Sequence, residues 1–85
     1  MKVIKTTNAP GAVGPYSQAI EIDNLVFASG QIALDPATGE MAEGIEAQAH
    51  QALKNAQAVI NASGAKWENV IKTTVFITNI DDFAK

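Results

Sequence analysis

The chain has 85 residues, which is enough for one small domain with a thin hydrophobic core. Its net charge is −3 and it contains no arginine, which disfavours the basic surface that nucleic-acid binding normally requires. It contains no cysteine, so no disulfide can support the small core, and no apolar run approaches the roughly 20 residues that span a bilayer. Since the start of the chain also lacks the apolar core of a signal peptide, we predict a cytoplasmic protein without membrane contact, supported by oligomerisation.

The first part of the chain favours short strands joined by turns. Residues 8–16, "NAPGAVGPY", form a loop, because two prolines and two glycines interrupt any regular element. Asp23 and Asn24 tolerate a left-handed backbone and predict a tight hairpin turn. The β-prone runs around these features predict strands at 2–6, 17–22 and 25–32, followed by a turn-rich connection at 34–40.

One long helix is predicted at 44–63, with Gly64 as its C-terminal cap. The segment lacks proline, and its apolar residues recur at spacings of three and four. They form one stripe for packing on a sheet, made of Ile45, Ala49, Ala52, Leu53, Ala56, Val59 and Ile60. The polar residues fall mostly off this stripe, among them Gln48, Gln51, Lys54, Asn55 and Asn61.

The strongest strand pattern is "NVIKTTVFITN", residues 69–79. Both of its faces carry apolar residues, so one helix can cover only one of them, and the other needs a second layer or a second subunit. Asp81 and Asp82 follow and predict the start of a second helix, because carboxylates suit the free N–H groups at a helix N-terminus.

Four segments in this order resemble the Rid (YjgF) family of imine/enamine deaminases, and together they cover essentially the whole chain. They are "APGAVGPYSQAI", "FASGQIALDPATGE", "QALKNAQAVINASG" and "VIKTTVFITNIDDFA". The resemblance implies an α+β fold similar to chorismate mutase, with a sheet and helices on one face. It also implies a homotrimer with its active sites in the clefts between subunits.

The resemblance implies hydrolysis of reactive 2-imino acids, in equilibrium with enamines, to 2-oxo acids and ammonia. Such imines arise from pyridoxal-phosphate-dependent dehydratases acting on serine or threonine. The family reaction needs no cofactor and no metal. The protein has to hold the substrate carboxylate, place a water molecule and stabilise charge.

Three residues match substrate-binding positions of the family, Tyr16, Gly30 and Phe83, and we add Ser29 because it lies beside Gly30. Tyr16 would wall the cleft, or alternatively fill the junction between loop and sheet. Gly30 would bring its backbone N–H to the carboxylate, and a glycine in a strand is equally compatible with a plain bulge. Ser29 would add a polar contact or serve as an ordinary strand serine. Phe83 would line the pocket or pack elsewhere.

Other chemistry-bearing residues are assigned structural roles. Gln31 and Ser17 belong to the motifs, but we expect them to support the fold. His50 is the only histidine and has no motif partner, so we expect a helix-surface side chain rather than a base. Asp81 and Asp82 are neighbours on the predicted helix and point apart, which argues against a catalytic pair.

The resemblance also shows what these residues lack. Relatives continue beyond the position of Lys85 with an arginine that binds the carboxylate and a glutamate that activates water, and neither has a counterpart here. We therefore expect residues 1–85 to be the N-terminal portion of a single Rid-type domain, truncated at its C-terminal side. No catalytic residue is assigned within it, and this chain alone is predicted to be inactive.

Two other functions stay open at this point. A non-catalytic relative would keep the sheet and helix as a small-molecule-binding or interaction module. An arginine and a strand-borne glutamate after Lys85 would favour the enzyme, and their true absence would favour the module. A ribonuclease or translation inhibitor, a function attached to some relatives, is disfavoured by the acidic balance and the lack of arginine.

Overall fold

A computed structural model of the chain describes residues 2–11 and 16–81. In chain order the elements are β1 (Lys2–Ile4), β2 (Ala19–Ile22), β3 (Leu25–Ala28), α1 (Ile45–Ala62) and a 3₁₀ turn at Trp67–Asn69. The three strands form one antiparallel sheet in the order β1-β2-β3, and α1 packs on one of its faces. The predicted α+β class, with a sheet and a helix on one side, is confirmed.

The hairpin between β2 and β3 turns at Asp23 and Asn24, as predicted. Ile22 pairs with Leu25 across the two-residue turn, and Asp23 has a φ of 55°. A short polar side chain makes that left-handed conformation tolerable. All three strands are shorter than predicted, because pairing ends at Ile4↔Ala19 on one side and Ala19↔Ala28 on the other.

The strand register divides the sheet into a covered and an exposed face. Residues directly opposite one another across a ladder share a face. Ile4, Ala19 and Val26 lie on the covered face and pack with Val59 of α1. The opposite face carries five apolar side chains, all exposed or half-buried in the single chain: Val3, Ile20, Ile22, Leu25 and Phe27.

Helix α1 is confirmed within one residue of its predicted bounds, but the face that it buries is rotated from the predicted stripe. Asn55 and Val59 are fully buried, whereas Leu53 is 55% exposed. The buried line therefore runs through Ala52, Asn55 and Val59, and the stripe residues Ala49 and Leu53 lie to one side of it. The prediction placed Asn55 off the stripe because it is polar, and that assignment is wrong.

The connection between β3 and α1 folds back on itself, as the turn residues at 34–40 predicted. Leu34 and Met41 form an isolated antiparallel bridge, and Asp35 N–H donates to Glu40 O at 2.9 Å. The side chain of Asp35 accepts a hydrogen bond from Ala37 N–H at 2.8 Å, which closes the turn. Gly64 has a φ of 90° just after α1, in agreement with its predicted role as the helix cap.

The strand predicted at 69–79 is not formed in the structure. After the 3₁₀ turn at Trp67–Asn69 the chain runs without regular secondary structure, and Ile71 and Phe76 are 86% and 92% exposed. A strand needs a neighbouring strand for its backbone hydrogen bonds, and residues 70–79 have no ladder partner within the described ranges. The alternating pattern alone therefore does not create a strand.

The predicted start of a second helix is only partly visible. The side chain of Asn79 accepts a hydrogen bond from the N–H of Asp81 at 3.0 Å. Asp82 and Phe83 lie outside the described residues. No helix in ranges 2–11 and 16–81 has the length and apolar content needed to cross a bilayer.

Candidate functional site

Three of the four predicted site residues lie at the same end of the β2–β3 hairpin. The last paired residues of the hairpin are Ala19 and Ala28, so Tyr16 precedes this end and Ser29 and Gly30 follow it. Antiparallel strands bring the chain before β2 and the chain after β3 side by side. The candidate site is therefore the surface around Tyr16, Ser29 and Gly30, whereas Phe83 lies outside the described residues.

Gln18 joins the two sides of this surface. Its main-chain carbonyl accepts hydrogen bonds from both the N–H and the Oγ–H of Ser29, each at 3.0 Å. The hydroxyl of Ser29 is thus engaged with the protein, which favours the structural role that was weighed for it. The same pair of bonds fixes Ser29, and so the start of the Gly30 segment, against the residue two positions after Tyr16.

The side chain of Gln18 is buried and holds the loop that leads from β1. Its Oε1 accepts from Thr6 N–H at 2.7 Å, and its Nε2 donates to Thr6 O at 3.1 Å and to Pro10 O at 2.8 Å. The carboxamide acts like one more backbone unit beyond the end of β1, because it offers a donor and an acceptor as a strand partner would. The motif "YSQAI" was assigned by its resemblance, and this role of Gln18 was missed.

Gly30 and Gln31 form a two-residue span that is held at both ends. Ser29 is bonded to Gln18, and Ile32 O accepts from Asn55 Nδ2 at 2.9 Å. Gly30 itself is exposed, and an added Cβ there would have no described neighbour within 4 Å. Gly30 is not inside a strand, because β3 ends at Ala28, so the bulge interpretation is wrong. Its surroundings leave room for a ligand to approach the backbone.

Asn55 is the second residue that the sequence interpretation missed. It is fully buried, and its Nδ2 donates to Leu34 O at 2.8 Å as well as to Ile32 O. Its Oδ1 accepts from Gln51 Nε2 at 2.8 Å, so donor and acceptor are both satisfied. The available signal was its position between Ala52 and Val59 on the buried line of α1, where a polar side chain needs partners from another segment.

The candidate side chains of His50 and Tyr16 are both exposed. His50 is exposed on α1, as predicted for a surface side chain. Tyr16 is 45% exposed, so its ring is accessible at the end of the hairpin. Across the described part of the chain, no three His, Cys, Asp or Glu side chains are grouped so that they could hold a metal ion.

A separate open groove of about 710 Å³ lies between α1 and the loops at 6–8 and 35–37. Its polar lining includes Thr6, Asp35 and Lys54, and none of Tyr16, Ser29 and Gly30 borders it. Size alone does not identify a functional pocket, and this groove offers one cation and one carboxylate without buried, convergent polar groups. We place the candidate site at the end of the hairpin for that reason.

The chain is similar to known proteins over nearly its whole length. The family model described as Endoribonuclease L-PSP matches residues 6–85. The chain is 48% identical over 83 residues to a 2-iminobutanoate/2-iminopropanoate deaminase of Salmonella typhimurium, covering 98% of this chain and 65% of the relative. A protein of the same name from Mus musculus is 47% identical over 83 residues, covering 96% of this chain and 62% of the relative.

The backbone agrees equally well with solved structures. The crystal structure of Escherichia coli TdcF with bound serine superposes with a TM-score of 0.96 at 45% identity, covering 99% of this chain and 66% of that chain. The chain thus spans about 65% of the length of a relative such as the Salmonella protein. With the family model matching from Thr6 to the last residue, this chain belongs to the Endoribonuclease L-PSP family, the family of the Rid (YjgF) proteins.

Proposed function

We propose that this protein hydrolyses reactive 2-imino acids, and the enamines in equilibrium with them, to 2-oxo acids and ammonia. The observation that carries the proposal is the 46–48% identity to proteins named 2-iminobutanoate/2-iminopropanoate deaminase, from bacteria and mouse. The match to the Salmonella protein extends over 83 residues, which is 98% of this chain. The substrates are small 2-imino acids such as 2-iminobutanoate and 2-iminopropanoate.

The chemistry requires little from the protein beyond placement. Water adds to the protonated C=N carbon, and the resulting tetrahedral intermediate expels ammonia and leaves the 2-oxo acid. In our proposal the backbone N–H of Gly30 contacts the substrate carboxylate, and the ring of Tyr16 walls the site. Phe83 is assigned to the same wall by its motif. A fixed backbone donor is effective because it needs no reorganisation when charge develops.

The proposal assigns no catalytic acid, base or clamping cation to these 85 residues. The sequence contains no arginine, the side chain that usually clamps a carboxylate with two parallel hydrogen bonds. A backbone N–H alone orients a carboxylate weakly, and the lost charge contact is worth on the order of 2–4 kcal/mol of transition-state stabilisation. We therefore expect residues 1–85 by themselves to be inactive. No cofactor or metal is part of the proposed reaction.

A nuclease function is the second candidate, because the matching family model carries the description Endoribonuclease L-PSP. RNA binding depends largely on cationic side chains that contact phosphates. This chain has six lysines, no arginine and a net charge of −3, and its only histidine lies exposed on α1. We prefer the deaminase, with a small molecule and not a nucleic acid as the partner.

The proposal includes a homotrimer in the cytoplasm. One face of the sheet carries five apolar side chains that the described part of the chain leaves exposed or half-buried: Val3, Ile20, Ile22, Leu25 and Phe27. Exposed apolar patches of this kind mark interaction surfaces. A second and a third copy of the same sheet would cover them, and the clefts between copies would lie beside the hairpin ends that carry Tyr16 and Gly30.

The experiment is a coupled assay with a threonine dehydratase that generates 2-iminobutanoate. The complete gene product and the chain of residues 1–85 are compared at equal concentration, with ammonia release as the readout. We expect acceleration by the complete product and none by residues 1–85. Equal rates would place the catalytic groups within these 85 residues. No acceleration by either, together with binding of 2-oxobutanoate, would favour the binding module instead.

A further inference from the structure

Asn55 has an unusual position for a polar side chain in a small core. It is completely buried at the centre of α1, on the line that faces the sheet, beside Ala52 and Val59. Burying a carboxamide is costly unless every hydrogen-bonding atom finds a partner. Both polar atoms of the Asn55 carboxamide have hydrogen-bond partners. The partners of Nδ2 are two carbonyl oxygens of a loop and not groups of its own helix.

The two carbonyls belong to the chain segment that comes after the candidate site. Ile32 O and Leu34 O accept at 2.9 and 2.8 Å, so one NH₂ group holds both ends of a three-residue stretch. Ile32 is two residues from Gly30, and Ser29 on the other side is bonded to the carbonyl of Gln18. Gly30 and Gln31 thus lie between two fixed points, one at Gln18 just before β2 and one at Asn55 on α1.

We propose that Asn55 is a positioning residue for the substrate-binding backbone at Gly30 and Gln31. This inference rests on the proposed function, because it takes residues 30–31 to be the backbone that binds the substrate carboxylate. Asn55 touches no substrate. It fixes the direction of the Gly30 N–H by holding Ile32, since a glycine without steric restraint would otherwise sample many backbone conformations. Gln51 in turn orients the carboxamide through its bond to Asn55 Oδ1.

The decisive variant is Asn55→Asp, which keeps the shape of the side chain and replaces both donor hydrogens with an acceptor oxygen. The carbonyls of Ile32 and Leu34 would then face a carboxylate and turn away. Burial raises the pKa of the introduced carboxyl group, and its protonated form regains one O–H donor. The defect should therefore shrink as the pH falls through that raised pKa, which a role limited to filling space would not predict.

Gln48→Glu is the matched control. It makes the same chemical change in the same helix, and Gln48 Nε2 also donates to a loop carbonyl, that of Ala42, at 3.0 Å. Ala42 lies beyond the bridge between Leu34 and Met41, and its own N–H donates to Ala33 O at 2.9 Å. Gln48→Glu nevertheless leaves both bonds from Asn55 Nδ2, to Ile32 O and to Leu34 O, in place. A general effect of a new acid in α1 would appear in both variants, whereas an effect on the Gly30 span would appear only in Asn55→Asp.

The test measures binding of 2-oxobutanoate, the product of the proposed reaction, and turnover in the coupled assay, with the complete gene product. For Asn55→Asp we expect the Kd and KM to rise about tenfold at pH 8, kcat to change less, and the Kd to recover toward pH 6. Gln48→Glu should leave all three unchanged. A folded Asn55→Asp protein with unchanged Kd, or an equal change in both variants, would overturn the inference.

Two further measurements keep the outcome decisive. If Asn55→Asp does not fold, Gln51→Ala replaces it, and a rise in Kd of about threefold supports the inference while an unchanged Kd overturns it. If the unmodified protein neither binds 2-oxobutanoate nor releases ammonia, the proposed function fails. The amide hydrogen exchange of Gly30 and Gln31 then decides the positioning role alone: faster exchange in Asn55→Asp or Gln51→Ala but not in Gln48→Glu supports it, and equal exchange refutes it.

Discussion

The sheet–helix unit of residues 2–63 and the segment of residues 70–80 both have regular apolar patterns, but only the unit buries its apolar side chains. In the unit, Ile4, Ala19 and Val59 are buried to 3% exposure or less. In the segment, Ile71, Val75 and Phe76 are at least 74% exposed. The difference lies in the backbone: α1 forms its own hydrogen bonds and β1–β3 pair with one another, whereas the segment has no partner strand among the described residues.

An apolar pattern therefore indicates which side chains are suited to burial. A helix or strand forms only where the backbone N–H and C=O groups of that segment also find hydrogen-bond partners. Where the strand pairing ends inside the unit, side chains supply hydrogen bonds to the backbone instead. Gln18 continues β1 past Ile4, and Asn55 holds the loop after β3. No such substitute reaches residues 70–78 in the described part of the chain, apart from the bond of Val70 N–H to Trp67 O.

The largest expected effect comes from one substitution made in both regions. Val59→Asp would bury a carboxylate in the core and should lower the free energy of unfolding by about 4 kcal/mol or more, which is enough to unfold a domain of this size. Val75→Asp should change it by less than about 0.5 kcal/mol, because that side chain is exposed. Urea unfolding followed by circular dichroism measures both. Similar losses would mean that residues 70–80 are part of the cooperative core.

Gln18→Ala tests whether a side chain really replaces a strand partner. The variant leaves Thr6 N–H, Thr6 O and Pro10 O without their partners, and we expect a loss of about 2–3 kcal/mol in the free energy of unfolding. Gln57→Ala is the control, because that residue is exposed on α1 and should cost less than about 0.5 kcal/mol. Faster hydrogen exchange of the Thr6 amide, with unchanged exchange of the Ser29 amide, would show that the variant loses the side-chain bonds of Gln18 and keeps its main-chain bond.

Some of these features could be predicted from the sequence and others could not. The helix and the hairpin turn were predictable, because both depend on local hydrogen bonds and on local backbone preferences at Asp23 and Gly64. The strand at 69–79 was not, because its existence depends on a partner that no local pattern can supply. Tyr16, Ser29 and Gly30 were assigned to the site through their motifs, and that assignment stays a prediction. Gln18 and Asn55 were missed because a carboxamide reads as a surface side chain until its distant partners are known.

A smaller effect is expected on association of the chain of residues 1–85. The segment 70–80 is apolar, β-prone and carries only Lys72 as a charge, and such unpaired segments associate. Phe76→Lys should raise the dissociation constant for self-association about tenfold, by removing an exposed ring and adding repulsion. Thr38→Lys, in an exposed turn, controls for the added charge. Sedimentation velocity over a range of concentrations is the measurement, and a chain that stays monomeric throughout would contradict the prediction.

The smallest effect lies at the boundary between the two regions, where Gly64 ends α1. Its φ of 90° is a conformation that an L side chain rarely adopts, and its N–H closes the last turn by donating to Asn61 O at 3.0 Å. Gly64→Ala should therefore lower the free energy of unfolding by about 1 kcal/mol through backbone strain alone, since an added Cβ meets no described atom within 4 Å. Gly30→Ala separates strain from the mere addition of a methyl group, because Gly30 has equal space without a positive φ. It should leave the unfolding curve unchanged. Equal losses in the two variants would show that strain at Gly64 does not set the end of α1, and that residues 65–69 fix the boundary instead.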